Sequence, residues 1–212
     1  MKIVAISDTH NQLRNIKVPH GDVLIHAGDF TMNGTANEIR EFNHELSLLP
    51  HAHKIVIAGN LDINFEMEPV ESRKLLTNAI YLEDSGVEIG GVKFWGSPWQ
   101  PQFYDWAFNL ERGLPLKEKW QQIPSDTDVL ITHGPPKEIL DEAPRKGILN
   151  YLNVGCKDLR EEVLYRIQPK YHVFGHIHNG YGYKFFGNIN FINASILNER
   201  YKIENKPIIF NI

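Results

Sequence analysis

Side chains that can bind metal ions follow five separate apolar runs of the chain. The runs cover residues 3–7, 23–28, 55–59, 129–132 and 171–175, and the side chains that follow them are Asp8, His10, Asp29, Asn60, His133, His176 and His178. Oxygen and imidazole donors without thiolates suit Mn, Fe, Zn or Ni rather than a structural thiolate zinc site. Seven donors are too many for one four-coordinate ion, but they fit two ions roughly 3.5–4 Å apart that share a bridging carboxylate.

The first pair of these residues has a second interpretation when it is taken alone. Asp8 and His10 are one residue apart, which would put both side chains on the same side of an extended backbone. A helix N-cap at Asp8 or Thr9, followed by a solvated histidine, would give the same pattern. The other four runs favour a shared site, because parallel strands open their carboxyl ends onto one crevice. Glycines that would allow sharp turns and close approach precede three of the donors, and these are Gly28, Gly59 and Gly175.

Strand and helix patterns alternate through the first 130 residues. Apolar residues at three- and four-residue spacing predict a helix over residues 35–48, with a capping box formed by Thr35 and Glu38. The strand-rich tail, residues 180–212, predicts a second sheet with turns at residues 187–188 and 205–206. We therefore predict an α/β fold in a single domain, residues 1–212. Two mixed sheets would pack face to face with helices outside, giving a four-layer sandwich.

The composition is that of an ordinary globular protein. The chain has 212 residues, a formal net charge of −4 and one cysteine, Cys156. This charge argues against an extended nucleic-acid surface or an anionic-membrane surface, but not against a small phosphorylated, nucleotide-like ligand held by metals. A single cysteine allows no intramolecular disulfide, and no apolar stretch approaches the roughly 20 residues that span a bilayer. We expect a cytoplasmic protein without membrane contact. The sequence does not define its oligomeric state, and a homodimer is one option.

The order of the motifs resembles a known superfamily. Asp-x-His at 8–10, Gly-Asp at 28–29, Gly-Asn-x-Asp at 59–62 and Gly-His-x-His at 175–178 resemble the calcineurin-like metallophosphoesterase superfamily. Within it, five longer motifs are similar to the MPPED-type (brain metallophosphoesterase domain) proteins and their bacterial relatives. These motifs are Gly-Ser-Pro-Trp at 96–99, Trp-Ala-Phe-Asn at 106–109, Thr-His-Gly-Pro-Pro at 132–136, His-Val-Phe-Gly at 172–175 and Ile-Asn-Ala-Ser at 192–195. The resemblance covers essentially the whole chain.

This resemblance implies a fold, an activity and a set of site residues. The fold would be a βαβ sandwich of two sheets. The activity would be that of a dinuclear metal-dependent phosphoesterase, mainly a phosphodiesterase on small phosphodiesters or cyclic nucleotides, with a metal-bridging hydroxide as the nucleophile. Mn is the expected metal, with Fe, Zn or Ni as alternatives. The first ion would be held by Asp8, His10, Asp29 and His178, and the second by Asp29, Asn60, His133 and His176. Among these residues, Asp29, Asn60 and His133 would be catalytic.

One position departs from the superfamily pattern. The motif Gly-Asn-His-Asp/Glu reads Gly59-Asn60-Leu61-Asp62 here, so that Leu61 takes the place of the family's catalytic histidine. Leucine cannot donate a proton to a leaving group, and general acid catalysis typically contributes about 10²–10⁴-fold. Leu61 would also put an isobutyl group into a polar cleft. We expect lower activity on poor leaving groups. The alternative is a catalytically weak, metal-loaded protein that binds nucleotides or acts as a scaffold.

The residues that contact substrate are less well defined by sequence. Asn60, Leu61, Trp99 and Arg145 are the candidates. The aromatic stretch from Trp99 to Phe108 could be a flap that simply buries area, or a cleft wall that stacks a nucleobase. Asp62 would orient a metal ligand from behind, as the family's acidic residue at this position suggests.

Overall fold

The computed structural model describes residues 1–144 and 151–212. Within these ranges the chain forms two large sheets, two short two-stranded ribbons and helices on the outside. The strands are β1 (Lys2–Ile6), β2 (Val23–His26), β3 (His53–Val56), β4 (Ile80–Tyr81), β5 (Ser85–Ile89), β6 (Val92–Ser97), β7 (Gln100–Pro101), β8 (Asn109–Leu110), β9 (Val129–Thr132), β10 (Glu142–Pro144), β11 (Tyr151–Asn153), β12 (Tyr171–Phe174), β13 (Gly182–Phe186), β14 (Ile189–Asn193) and β15 (Ile208–Asn211).

Both large sheets have a parallel centre and an antiparallel strand at one edge or at both. The first sheet has the order β15-β1-β2-β3-β4, in which β1 to β4 are parallel and β15 is antiparallel. The second has the order β13-β14-β12-β9-β6-β5, in which β14, β12, β9 and β6 are parallel. Its edge strands β13 and β5 are antiparallel to their neighbours. Each sheet therefore directs the carboxyl ends of several strands to one edge.

The helices cover the two outer faces, which completes four layers. They are α1 (Ala36–Ser47), α2 (Asn64–Met67), α3 (Pro69–Leu75), α4 (Leu114–Gln121) and α5 (Lys157–Glu162), the last continuing into a π-helical turn over Val163–Ile167. Residues of α1 pack with the first sheet, and residues of α4 and α5 pack with the second. A third apolar cluster fills the space between the sheets. The predicted four-layer α/β sandwich is confirmed.

The sequence of β1 shows why both of its faces are apolar. Ile3 and Ala5 point into the cluster between the sheets, whereas Val4 and Ile6 point into the cluster under α1. Successive side chains of a strand alternate between faces, so a strand covered on both sides needs a continuous apolar run. The N-terminus of α1 has the predicted capping box: the Glu38 backbone N–H donates to Thr35 Oγ1 (3.3 Å), and the Thr35 N–H donates to Glu38 Oε2 (2.9 Å).

The tail differs from the prediction in one respect. Gly187 and Asn188 both have positive φ angles (57° and 67°) and connect β13 to β14 as a tight hairpin, as predicted. No hairpin forms at residues 205–206, however. The chain instead crosses to the first sheet, where β15 pairs antiparallel with β1. This pairing covers the open edge of β1, which the sequence pattern of the tail alone does not reveal.

Candidate metal centre

The seven predicted donors lie at the carboxyl ends of five parallel strands, three in the first sheet and two in the second. Two groups of ligand atoms form there, each with its atoms within 4.8 Å of one another. One group consists of Asp8, His10 and His178, and the other of Asp29, His133 and His176. Asn60 joins the second group through its Oδ1 atom, 2.9 Å from His133 Nε2. The structure thus brings all seven side chains together, across both sheets.

Asp29 lies between the two groups. Its Oδ1 atom is 3.6 Å from His133 Nε2, and its Oδ2 atom is 4.0 Å from His10 Nε2. The two carboxylate oxygens of one side chain therefore face one histidine of each group. A carboxylate in this position can bridge two cations.

The imidazoles are held with their Nε2 atoms toward the centre. Backbone carbonyls accept from the Nδ1 atoms of His10 (Thr31, 3.2 Å), His133 (Ala27, 2.9 Å) and His178 (Asn198, 2.9 Å). A hydrogen bond at one ring nitrogen fixes the tautomer and leaves the other nitrogen free to bind a metal. This orientation, with carboxylate and amide oxygens close by, fits a pair of divalent cations.

The backbone at the candidate ligands is not the extended chain that the Asp8–His10 spacing predicts. Asp8, His10, Asp29 and His176 have φ angles of 53°, 40°, 53° and 65°. Asp and His tolerate this left-handed conformation better than most residues. Four such residues at one site indicate local strain of about 1–3 kcal/mol each, which the surrounding contacts must offset. The side chains converge because the chain turns sharply after each strand.

Two glycines permit close approach at this site, Gly175 between the two sheets and Gly59 between neighbouring strand ends of the first sheet. A Cβ atom on Gly175 would overlap the side chains of Ser7 and Asp8, and one on Gly59 would overlap the backbone and carboxylate of Asp29. The backbone N–H of His176 also donates to the Asp8 carboxylate at 3.0 and 3.1 Å. The close approach predicted for these glycines is therefore present.

Asp62 ties the strand-end loops to each other. Its buried carboxylate accepts from the backbone N–H groups of Asp29 (2.9 Å) and Gly59 (2.7 Å), and from the N–H and hydroxyl of Thr31 (2.9 and 2.7 Å). Burial and the nearby charge of Asp29 raise the pKa of Asp62 to about 7, whereas the four donors favour its ionised form. The expectation that Asp62 positions a candidate ligand from behind thus has a direct geometric basis.

Each group contains a carboxylate paired with a basic imidazole. Burial lowers the pKa of His133, but the nearby charges of Asp29 and Asp8 and the hydrogen bond to the Ala27 carbonyl together outweigh burial and raise it to about 9. Burial also lowers the pKa of His178, but the adjacent Asp8 carboxylate, the Asn198 carbonyl and the Asp29 charge together outweigh burial and raise it to about 9. Burial instead lowers the pKa of His176 to about 3. In the metal-free protein at neutral pH, one imidazolium in each group therefore balances a carboxylate.

A cavity of about 320 Å³ opens over both groups. Leu61 lines this cavity. The other walls of the cavity are also largely apolar, so the expectation of a polar cleft is wrong. The side chain of Leu61 faces the cavity, while its backbone N–H donates to Asp29 Oδ1 (2.8 Å). Phe103 and Trp106 of the aromatic stretch line the cavity, as do Arg112, Ile177 and Tyr201, which the sequence did not single out.

One of the predicted substrate contacts, Trp99, takes a different place. Trp99 does not line the cavity. Its indole N–H donates to Asp84 Oδ2 (2.8 Å), and Lys119 Nζ lies 4.1 Å from its ring centroid. The prediction for Trp99 is wrong because this half-buried ring packs against two of the apolar clusters instead of the cavity. Arg145 lies outside the described residues. The aromatic stretch therefore divides, with Trp99 and Phe108 packed inside and Phe103 and Trp106 at the cavity.

Ser195 is a residue whose role the sequence did not indicate. Its hydroxyl donates to Asp8 Oδ2 at 2.8 Å, and Ser7 forms a parallel bridge with it between the two sheets. Ser195 belongs to the Ile-Asn-Ala-Ser motif at the end of β14. In the sequence, the signal that Ser195 lies near the site was that this motif follows another parallel strand.

A two-sheet sandwich with two adjacent groups of carboxylate and imidazole donors at its strand ends is the architecture of a metal-dependent phosphoesterase. Residues 1–180 match the calcineurin-like phosphoesterase family. Human metallophosphoesterase domain-containing protein 1 is 45% identical over all of this chain and 71% of its own length. A UPF0046 protein of Caenorhabditis elegans is 43% identical over all of this chain and 75% of its own length. The chain belongs to the calcineurin-like phosphoesterase family, with MPPED-type relatives.

Solved structures share the fold at much lower identity. One crystal structure superimposes with a TM-score of 0.69 and 15% identity, over 92% of this chain and 90% of the other. An archaeal phosphodiesterase gives a TM-score of 0.50 and 18% identity, over 99% of this chain and all of its own. No helix in residues 1–144 and 151–212 is long and apolar enough to cross a membrane.

Proposed function

We propose that this chain is a phosphodiesterase that acts on small phosphodiesters, including cyclic nucleotides, with two divalent metal ions. Asp29 carries the proposal, because its two carboxylate oxygens face one histidine of each donor group. In this assignment the first ion is held by Asp8, His10, Asp29 and His178, and the second by Asp29, Asn60, His133 and His176. Mn is the metal that we propose, with Fe, Zn or Ni as alternatives.

The chain's own residues would hold and orient the reacting groups. Two bound divalent ions would lower the pKa of water to provide a nucleophile and would neutralise phosphoryl oxygens. Asn60 lines the cavity beside His133 and is placed to donate its amide N–H₂ to a phosphoryl oxygen while its Oδ1 faces the second group. The apolar walls would reduce the water around a bound ester, which would strengthen the electrostatic contacts in the site.

The test of this proposal is hydrolysis by the metal-loaded protein. Protein loaded with Mn²⁺ should hydrolyse bis(4-nitrophenyl) phosphate and cyclic AMP, and an Asp8→Ala variant should lose both activities with the first ion. Metal content measured by mass spectrometry shows whether the loss of activity accompanies the loss of the first ion. Turnover of neither substrate above the level of the Asp8→Ala protein would refute the assignment.

Leu61 supports a second candidate function. The leucine side chain lines the cavity at the position where family members carry a histidine, and it cannot protonate a leaving group. The protein would then be a metal-loaded nucleotide-binding or scaffold protein with weak catalysis. Calorimetry separates the two functions: tight binding of a nucleoside monophosphate with negligible turnover favours the scaffold, and turnover of ordinary diesters eliminates it.

The expected partner is a small phosphorylated, nucleotide-like substrate. A net charge of −4 disfavours an extended nucleic-acid surface or binding to anionic membranes. A cytoplasmic location and a homodimer stay predictions. Fractionation of cells and light scattering of the purified protein test them directly.

A further inference from the structure

Tyr201 covers the first donor group from outside the region that matches the family. Its ring centroid lies 4.9 Å from that of His10 and 5.5 Å from that of His178, and it is roughly perpendicular to both rings (66° and 71°). The side chain is 42% exposed and lines the cavity. The family match ends at residue 180, so Tyr201 lies outside the matched region although its ring lies against the site.

The loop that carries Tyr201 is fixed in place. Tyr201 has a φ angle of 55°, which is an unusual conformation for a bulky residue. Its backbone N–H donates to the Asn198 carbonyl (2.9 Å), and its own carbonyl accepts from Gln12 Nε2 (3.1 Å). The same Asn198 carbonyl accepts from His178 Nδ1. The loop therefore holds the phenol ring and a candidate metal ligand in one rigid arrangement.

A second aromatic ring covers the other donor group. The Phe103 ring centroid lies 6.0 Å from that of His176 at an interplanar angle of 85°, and Phe103 is 47% exposed. Both rings line the same cavity, together with apolar side chains that include Pro101, Pro135, Val154 and Ile177. Each half of the candidate metal centre thus has an aromatic ring at its edge.

The described part of the cavity lining offers little for a charged substituent. Among its described lining residues, Arg112 is the one with a permanent positive charge, and its guanidinium donates to the carbonyls of Val154 (2.6 Å) and Gly155 (2.8 Å). These bonds hold it against the backbone rather than presenting it to a ligand. Aromatic rings in an apolar cavity favour a flat ring as partner, through offset-stacked or perpendicular contacts.

We propose that Tyr201 is a specificity-determining residue, whose ring packs against a flat aromatic substituent that stays on the phosphorus during hydrolysis. The chain would then prefer diesters with such a substituent to diesters with a small alkyl group. This inference rests on the phosphodiesterase activity proposed above, and it adds the part of the substrate that is recognised.

Two substrates with the same leaving group test the inference. Bis(4-nitrophenyl) phosphate and methyl 4-nitrophenyl phosphate both release 4-nitrophenol, so they differ in the group that is retained. The ratio of their kcat/KM values on Mn²⁺-loaded protein should fall about 10-fold in Tyr201→Ala, as for the loss of a contact between two aromatic rings. Comparing this ratio between proteins cancels the intrinsic reactivity of the substrates. Tyr201→Phe keeps the ring and should keep the ratio.

Binding provides a readout that does not need turnover. Calorimetry on Mn²⁺-loaded protein should show that phenyl phosphate binds more tightly than methyl phosphate, and that Tyr201→Ala removes the difference. Because alanine is strained at positive φ, Tyr201→Asn serves as a second truncation that suits the left-handed backbone. Metal content should be unchanged in each variant. Tyr165→Ala, an 80% exposed tyrosine that does not line the cavity, is the matched control.

The outcomes are distinct. An unchanged substrate ratio in both truncations, or an equal loss in Tyr201→Phe, would overturn the ring contact. An equal fall in Tyr165→Ala would also overturn it. If the wild-type protein hydrolyses neither diester, the proposed function fails, and the phenyl phosphate comparison still decides the role of Tyr201.

Discussion

The floor and the wall of the cavity are built on different principles. The floor consists of the candidate metal ligands, which lie buried or half-buried at strand ends and are tied to one another across the two sheets by hydrogen bonds. The wall consists of side chains on connecting loops. These include Phe103 and Tyr201, each of which is about half exposed. Rigid strand ends can fix ligand geometry, while loops can vary the ring, cation or leucine that meets the substrate.

The largest effect is expected from breaking the floor at Asp29. Asp29→Asn removes the charge that faces both donor groups, so both ions should be lost together. Loss of metal catalysis costs several kcal/mol, or at least about 10³-fold in the rate on bis(4-nitrophenyl) phosphate. Metal stoichiometry and rate are measured on the same samples. Asp126→Asn, an exposed carboxylate paired with Lys93, is the control and should change neither. A variant that keeps two ions would contradict the bridging role.

The next largest effect is a gain in rate from a substitution in the wall of the cavity. Leu61→His would restore a proton donor while the backbone N–H of residue 61 continues to hold Asp29 Oδ1. The rate should rise by about 10²-fold on diesters with poor leaving groups, and less on 4-nitrophenyl esters, because general acid catalysis matters most for a basic leaving group. Leu61→Ala, which adds space without a donor, should give no gain. Equal rates for Leu61→His and the wild-type protein would mean that the histidine is dispensable here.

A smaller loss, of metal affinity, is expected from a substitution of Asp62, which supports the floor from behind. Asp62→Asn keeps the shape of the side chain but replaces one acceptor oxygen by a donor, facing the N–H groups of Asp29, Gly59 and Thr31. Metal affinity should fall roughly 10–100-fold, as for other residues that orient ligands. Calorimetric titration with Mn²⁺ measures it. Asp141→Asn, also buried and also bonded to backbone N–H groups, should leave the affinity unchanged.

The smallest effect concerns the protons that the ligands in the floor release when metal binds. His133 and His178 have pKa values of about 9 in the metal-free protein, so both are protonated at pH 7. A metal binds the neutral imidazole, so loading both ions at pH 7 should release about two protons from these side chains, in addition to any proton from metal-bound water. For the same reason, affinity should rise from pH 7 to 9 and level off above. Titrations in two buffers with different ionisation enthalpies count the protons, and a heat that does not depend on the buffer would contradict this prediction.

Much of the floor could be predicted because its residues follow a local rule. Each candidate ligand comes directly after an apolar run, and parallel strands bring such positions to one edge. The predicted extended backbone at Asp8 and His10 is wrong, because hydrogen bonds between loops, such as that from His10 N–H to the Asp29 carbonyl, impose left-handed turns. These bonds join residues that are distant in sequence, and no local pattern specifies them.

The wall was predicted less well for a related reason. Trp99 and Phe103 belong to one aromatic stretch, yet one ring packs between apolar clusters and the other faces the cavity. Aromatic residues suit both environments equally, so composition cannot assign them. Tyr201 carries no motif, and only the return of the tail to the first sheet places its loop over His10 and His178.

The sequence by itself determined the two-sheet sandwich, the family and the seven candidate ligands, because apolar periodicity and the residues after each strand are local properties of the chain. The tertiary structure decided which side chains line the cavity, how Asp29 faces both donor groups and how Asp62 joins their loops. Those features depend on contacts between segments far apart in the chain. Such contacts form only when the two sheets pack against each other and bring their strand ends to one edge.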